Sequence, residues 1–210
     1  MTKGAVLVER RGDIDINQVV KNHFRHLGPE WELTVFGTQA VYDKLDFANK
    51  FYLIPDHIIQ SVADYNLFMT NIQFWQMIEY DKVLIIHPDS MLLRKGIDDF
   101  LKWDYVGAPW GHFKHVGGNG GLSIRTREKM IEVCMKVKYD AAKYGNEDLY
   151  FSKFTAKFGG NIAPMCEAMK FSVETIFYPE PIGCHAPHKY LTKEQMGILF
   201  KDQQLTYIKD

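Results

Sequence analysis

The sequence predicts an α/β fold, and three observations support it. Two short apolar runs, Ala5–Val8 and Val83–Ile86, have the composition of strands that are covered on both faces. Segments of helical periodicity alternate with the strand segments along the chain. No linker or low-complexity stretch divides the 210 residues, so we expect one domain spanning 1–210, either complete or as part of a longer protein.

The first elements predict a parallel β-α-β unit. Gly4–Glu9 reads as a buried strand. A helix follows, because Ile16, Val19, Val20, Phe24 and Leu27 repeat on one helical face; Asp15 suits its N-cap and Gly28-Pro29 its end. Trp31–Phe36 is the second strand, so the unit closes as strand, helix, strand.

The remaining elements continue the alternation. Strands are predicted at Phe51–Ile54, Lys82–His87 and Gly121–Arg125, and helices at Asp64–Glu79, Thr126–Lys138 and Asn146–Phe158. From Ile176 onward the chain is proline-containing and then helical or irregular.

Composition excludes several classes of protein. With 25 basic and 26 acidic residues the formal net charge is −1, which argues against a general nucleic-acid binder. No apolar run approaches the ~20 residues of a membrane helix. Three widely spaced cysteines, Cys134, Cys166 and Cys184, favour a reducing compartment, so we expect a soluble cytoplasmic protein. Aromatic residues reach 14%, which fits either a core or a ligand-stacking cleft.

The first candidate site follows the most apolar strand. His87-Pro88-Asp89-Ser90 stands at its carboxyl end, where open α/β sheets bind ligands, and a carboxylate there can hold a divalent cation against a diphosphate. Asp89 could instead cap an ordinary turn, since Pro-Asp-Ser is common turn chemistry.

Four further segments carry candidate chemistry, each with a structural alternative. Gly117–Gly121 could let backbone approach a ligand or form a hairpin. Glu147 and Asp148 could serve a reacting hydroxyl or cap a helix. His185 and Lys189, in Gly183–Lys189, could complete a metal and phosphate site or lie in a surface loop. Glu9-Arg10-Arg11 could contact a nucleotide or be a solvated charge cluster.

Taken together, these segments resemble a family of GT-A-type glycosyltransferases. The resemblance spans about residues 5 to 190. It rests most on the Asp-Tyr-Val-Gly-Ala-Pro-Trp stretch at 104–110 and on Gly-Asn-Gly-Gly-Leu-Ser-Ile-Arg at 118–125, together with the segments described above. It implies a GT-A (Rossmann-like) fold, with a single mixed, mostly parallel central sheet flanked by helices.

The resemblance also implies a set of site residues. Many GT-A enzymes carry Asp-x-Asp after the central strand; here His87 replaces the first carboxylate, which leaves Asp89 as the ligand. Asp89 and His185 would hold Mn²⁺ or Mg²⁺, while Lys189 would meet the diphosphate. The expected donor contacts are Val8, Glu9, Arg11, Asp89, Ser90 and Lys189, and the expected sugar or acceptor contacts are Trp110, Gly118, Asn119, Gly120 and Gly121.

The implied reaction moves a sugar from a nucleoside diphosphate, with a UDP-sugar favoured, to a glycan or glycoprotein hydroxyl. Asp148, with Glu147 beside it, would act as base in an inverting enzyme or orient a sugar in a retaining one. Trp103, Tyr105, Trp110 and Phe113 could pack on a sugar ring or in the core. Two rivals are a nucleotidyltransferase that makes nucleotide sugars and a non-catalytic carbohydrate-binding module.

Overall fold

A computed structural model describes residues 1–111 and 117–201. Within these residues a six-stranded sheet has the order β3-β2-β1-β4-β7-β6. β1 to β4 run parallel, whereas β7 is antiparallel to both of its neighbours, so the sheet is mixed. The strands are β1 (Lys3–Glu9), β2 (Trp31–Gly37), β3 (Lys50–Leu53), β4 (Lys82–Ile86), β5 (Ser90–Leu92), β6 (Tyr105–Gly107), β7 (Leu122–Thr126), β8 (Ser172–Val173) and β9 (Gly183–His185).

Helices cover both faces of this sheet, as an α/β fold requires. The described helices are α1 (Ile16–His26), α2 (Gln39–Tyr42), α3 (Val62–Met69), α4 (Ile72–Met77), α5 (Arg127–Lys136), α6 (Ala141–Tyr144), α7 (Glu147–Lys157), α8 (Met165–Phe171) and α9 (Lys193–Leu199). Alternate residues of β1 and β4 enter two cores. One core includes α1 and α8, and the other includes α4, α5 and α7. The central strands are therefore buried on both faces, which explains their apolar runs.

The predicted β-α-β opening is confirmed. β1 and β2 pair in parallel from Lys3↔Trp31 to Glu9↔Gly37. Asp15 caps α1 by accepting a hydrogen bond from the Gln18 backbone N–H at 3.0 Å. The helix ends at His26, just before Gly28-Pro29.

The single helix predicted at Asp64–Glu79 is wrong, because the segment forms two helices. α3 ends at Met69, and the Thr70 hydroxyl donates to the Asn66 carbonyl at 2.7 Å. Asn71 then caps α4, its side chain accepting from the Gln73 backbone N–H at 2.9 Å. Short polar side chains that compete for backbone hydrogen bonds thus divide a continuous apolar periodicity.

The expectation of a single sheet also needs correction, since a small second sheet has the order β5-β9-β8. β9 was expected to be irregular, yet it pairs antiparallel with β5 in a register that sets His185 opposite Ser90. The Ala186 backbone N–H continues the pairing to the Asp89 carbonyl at 2.9 Å. This small sheet places His185 next to the turn that follows β4.

The topology gathers four chain segments at one edge of the main sheet. β1 and β4 are parallel neighbours, with Leu7 opposite Ile86, so the residues after both strands meet there. β7 runs the other way and pairs Leu122 with Ile86, which places Gly120 and Gly121 at this edge too. No helix among the described residues has both the length and the apolar character needed to cross a bilayer.

Candidate functional site

A large cavity of about 660 Å³ opens at this carboxyl edge. Its walls come from the residues after β1, the approach to α3, the turn after β4 and the segment after β9. The lining comprises Val8, Glu9, Arg10, Arg11, Ile59, Gln60, Ser61, Val62, Tyr65, His87, Pro88, Asp89, Asn146, Glu174, His185, Ala186, Lys189 and Tyr190. Ligands of open α/β sheets bind in this position.

One charged cluster in this cavity centres on Asp89. His185 Nε2 lies 3.0 Å from Asp89 Oδ1, and Lys189 Nζ lies 3.3 Å from Asp89 Oδ2. His87 lies beside them, and the potential ligand atoms of His87, Asp89 and His185 all fall within 4.8 Å of one another. The structure thus brings together Asp89, His185 and Lys189, three residues singled out from separate parts of the sequence.

The charged groups of this cluster shift one another's pKa values. Burial disfavours the charged imidazole, but hydrogen bonds to Asp89 and Glu174 raise the pKa of His185 to about 9. Burial also disfavours the Asp89 carboxylate, yet the hydrogen bond from His185 and the nearby positive charges hold the pKa of Asp89 well below its ordinary value. Burial, with the charge of His185, lowers the pKa of His87 to about 3, so His87 is neutral. Asp89 is therefore a carboxylate held in its charged form in the wall of the cavity.

The end of β1 and the two residues after it form a hydrogen-bonded corner of the large cavity. The buried Glu9 carboxylate accepts hydrogen bonds from the backbone N–H groups of Arg10 and Arg11, at 2.8 and 2.7 Å. It also accepts from Arg11 Nε and Nη2, each at 3.0 Å. Glu9 therefore fixes the Arg11 guanidinium at the rim. Val8, Glu9 and Arg11 all line the cavity.

A small cavity of about 190 Å³ adjoins the large one. Asn146, Glu174 and Tyr190 line both, so the two cavities share a wall. The small cavity also contains the predicted residues Trp110, Asn119 and Asp148. Asn119 donates from Nδ2 to Glu174 Oε1 at 2.9 Å.

Asp148 is the titratable group of the small cavity. Burial and the adjacent negative charge of Glu147 raise the pKa of Asp148 to about 7. Arg125 and hydrogen bonds from the backbone N–H groups of Leu149 and Gly120, at 2.8 and 3.1 Å, act in the opposite direction. A carboxyl group with this pKa exchanges protons near neutral pH, as a general acid or base must.

Glu147 does not line either of these cavities. Its carboxylate accepts from Arg125 Nη1 at 2.5 Å and Nη2 at 2.9 Å, in a pair that is almost completely buried. Burial opposes the Arg125 charge, but Glu147 holds the pKa of Arg125 above its ordinary value. The prediction that Glu147 faces an acceptor hydroxyl therefore disagrees with its position, which is inside the protein and occupied by Arg125.

The glycines before β7 serve internal packing. A Cβ atom at Gly121 would lie 2.2 Å from His185 Nε2, so the imidazole occupies the space of the missing side chain. Gly118 packs on the backbone of Gly107, and Gly120 on Glu147 and Arg125. Of the predicted contacts Gly118, Asn119, Gly120 and Gly121, only Asn119 lines a described cavity.

Ser90 also lies behind the site. Its buried hydroxyl is 2.8 Å from the His87 carbonyl and 3.1 Å from His23 Nε2. Burial lowers the pKa of His23 to about 4, which leaves this histidine neutral. Ser90 lines neither described cavity, so its position gives the predicted nucleotide contact no support and makes Ser90 part of the frame that holds the His87–Asp89 turn.

The aromatic residues divide by position. Tyr105 is fully buried and donates from its hydroxyl to the Gly118 carbonyl at 2.9 Å, and Trp103 packs against the core. Trp110 lines the small cavity, whereas Phe113 lies outside the described residues. Of the three described residues, Trp110 is the one that lines a cavity.

A family model described as "Protein of unknown function (DUF5672)" matches residues 48–185, from just before β3 to the end of β9. The chain belongs to the DUF5672 family. The matched region contains Asp89, Asp148, Glu174 and His185. No curated protein matches the chain.

Two solved structures of the glycosyltransferase GlyE of Streptococcus pneumoniae TIGR4 resemble the DUF5672 chain. The apo form is 12% identical, with a TM-score of 0.58, and the match covers 92% of this chain and 55% of GlyE. The second is 13% identical, with a TM-score of 0.51, and the match covers 98% of this chain and 57% of GlyE. The DUF5672 chain thus shares a fold with GlyE and spans little more than half of its length.

Sequence reasoning missed several residues of the site in this DUF5672 chain. Glu174 follows the two-residue strand β8 with no motif around it, and Tyr65, Asn146 and Tyr190 enter the walls through tertiary packing. His87 had a signal, because it occupies the Asp-x-Asp position two residues before Asp89. A neutral imidazole at this position can also offer a ligand atom to a metal ion.

The donor set of this DUF5672 chain fits a divalent cation. One carboxylate and two imidazoles suit Mn²⁺ and similar metals that accept mixed oxygen and nitrogen ligands. The 3.0 Å separation of Asp89 Oδ1 and His185 Nε2 matches the roughly 3.0 Å between neighbouring ligands of an octahedral ion with bonds of about 2.1 Å. A cation bound to His185 Nε2 would replace the proton that now lies there.

Proposed function

We propose that this DUF5672 chain is a GT-A glycosyltransferase that moves a sugar from a nucleoside-diphosphate sugar, most simply a UDP-sugar, to a hydroxyl of a glycan or glycoprotein. The observation that carries the proposal is the pair of adjoining cavities at the carboxyl edge. The large one contains the charged cluster of Asp89, His185 and Lys189, and the small one the carboxyl group of Asp148. The shared fold with GlyE supports the same conclusion.

The large cavity takes the donor. Asp89 and His185, with His87 beside them, would hold Mn²⁺ or Mg²⁺, which supplies Lewis-acid stabilisation of the departing diphosphate. Lys189, half exposed beside Asp89, places a positive charge next to the departing diphosphate and stabilises it. Val8, Glu9 and Arg11, which line the same cavity, contact the nucleoside.

The small cavity takes the acceptor. Asp148 removes the proton of the acceptor hydroxyl while the acceptor oxygen bonds to the anomeric carbon. The bond from that carbon to the diphosphate breaks, and its electron pair leaves with the nucleoside diphosphate. This arrangement inverts the anomeric centre, with Trp110 and Asn119 placed to contact the sugar. Retention in the product, measured by NMR, would reassign Asp148 to orienting a sugar.

Thermal unfolding with UDP or GDP, with and without Mn²⁺, tests the donor site. Ligand at a hundredfold excess over Kd stabilises a protein by about 2.7 kcal/mol, which raises Tm by about 5–10 °C for a domain of this size. We expect this shift only when nucleotide and Mn²⁺ are both present. Asp89→Asn should abolish it, because the amide removes the central anion, while Asp99→Asn is the exposed control. A shift that Asp89→Asn leaves unchanged would exclude Asp89 from the donor site.

A further inference from the structure

Glu174 connects the two cavities through one oxygen atom. Glu174 Oε1 accepts from His185 Nδ1 at 3.0 Å and from Asn119 Nδ2 at 2.9 Å. The parallel pairing of β8 with β9, which sets Val173 opposite Cys184, brings Glu174 beside His185. Only 5% of Glu174 is exposed, so these contacts are made away from bulk water.

This contact determines which nitrogen of His185 faces Asp89. A histidine that donates Nδ1–H to a carboxylate keeps Nε2 for its other partner, and here Nε2 points to Asp89 Oδ1. The Gly121 backbone also packs against the ring close to Nε2, with no room for a Cβ atom. Asn119 Oδ1 holds that backbone in turn, accepting from the Gly121 N–H at 2.6 Å.

We propose that Glu174 is a positioning residue for the cation site: it holds His185 with Nε2 directed to the cation and joins that site to Asn119 in the small cavity. The inference rests on the proposed function, since it presumes a cation at Asp89 and His185. Carboxylates that hydrogen-bond a ligating histidine in this way orient the ring and strengthen its binding, and their loss weakens metal affinity 10- to 100-fold.

Calorimetric titration of the nucleotide-free protein with Mn²⁺ tests the proposal without an activity assay. Glu174→Ala should raise the Kd for Mn²⁺ by about 10- to 100-fold. Glu174→Gln should fall between wild type and Glu174→Ala, because the amide oxygen still accepts from Nδ1–H. Glu180→Ala is the matched control, since Glu180 is exposed and its carboxylate faces Arg94 rather than His185. Its Kd should equal that of wild type.

Each other outcome overturns the inference. Wild-type affinity in both Glu174 variants would show that His185 needs no such support, while leaving the proposed cation site standing. If Glu174→Gln and Glu174→Ala both lose more than 100-fold in affinity for Mn²⁺, Glu174 is a direct ligand of the cation instead. If Glu174→Ala does not fold, the Kd of Glu174→Gln decides, and equality with wild type rejects the role. Absence of Mn²⁺ binding in wild type would remove the cation site and this inference together.

Discussion

Asp148 differs from the other carboxylates of the site in its ionisation. Asp89 is held as an anion by positive neighbours, whereas Asp148 is buried beside Glu147 and has a pKa raised to about 7. Among the described residues Arg125 also acts on Asp148 and lowers its pKa, but the guanidinium is paired with Glu147. Asp148 is therefore the carboxyl group that can take up a proton near neutral pH.

This raised pKa predicts a pH-dependent stability. The folded protein retains the Asp148 proton up to about pH 7, whereas the unfolded chain loses it near pH 4. The Asp148 contribution to the free energy of unfolding should therefore be greatest at low pH and fall as pH rises from about 4 to 7, by up to about 4 kcal/mol. Urea unfolding at pH 5 and pH 8 measures the change.

Asp148→Asn supplies the comparison, because an amide does not titrate. We expect its stability to fall less than that of wild type between the two pH values, while Asp99→Asn should follow wild type. Identical changes in wild type and Asp148→Asn would show that Asp148 has an ordinary pKa.

The residues that sequence could predict were those next to recognisable strand or helix ends. Asp89, Asp148 and His185 each stand in such a segment, and the structure places them around two adjoining cavities. The assignment of Glu147 to the acceptor stays a prediction that its position does not favour, because its carboxylate is buried against Arg125. Glu174 could not be found, since its role depends on a strand pairing that no local pattern shows.

At the scale of elements, a buried ion pair joins β7 to α7. Arg125 and Glu147 are both almost wholly inaccessible, and Arg125 also donates from Nε to Ser123 Oγ at 3.0 Å. The pair fixes the start of α7 against the glycine segment, and Asp148 follows as the next residue.

Glu147→Gln should therefore act on stability first. Removing one charge of a buried pair leaves the other uncompensated and costs about 3–5 kcal/mol. Denaturant unfolding should show this loss, while Glu132→Gln, at an ion pair on the surface of α5, should change stability far less. A Glu147→Gln protein that keeps wild-type stability but loses all transfer would restore Glu147 to a catalytic role.

The segment before β7 supports a second prediction at this scale. A methyl group at Gly121 would occupy the place of the His185 ring, so Gly121→Ala should displace the ring and remove the Tm shift that UDP with Mn²⁺ produces. Gly197→Ala is the matched control, because nothing lies within 4 Å of a Cβ atom there. That control, on α9, should keep the shift and gain up to about 1 kcal/mol of stability. A normal shift in Gly121→Ala would contradict the packing described for His185.

At the scale of the molecule, periodicity could predict the main layers but not the small sheet. β1, β2 and β4 are long or strongly apolar, and their alternation with helices predicted an α/β fold. β8 and β9 have two and three residues, too few to show a period, and β9 pairs with β8 on one side and with β5 on the other. The small sheet, which brings His185 to the candidate cation site, could therefore not be predicted from the sequence.

The topology explains why the site lies where it does. Parallel β1 and β4 end together, antiparallel β7 begins beside them, and β9 returns alongside β5. Four segments distant in sequence thus meet at one edge, and the helices on both faces leave that edge open. Open α/β sheets bind their ligands at such an edge.

Release of free sugar from a panel of nucleoside-diphosphate sugars, with Mn²⁺ present and no acceptor added, tests the central claim most directly. We expect slow hydrolysis of one donor, dependent on Mn²⁺ or Mg²⁺, lost in Asp89→Asn and retained in Asp99→Asn. Two results would contradict a glycosyltransferase site at this edge of the sheet. One is that no donor is hydrolysed with either cation, and the other is that Asp89→Asn hydrolyses a donor as fast as wild type.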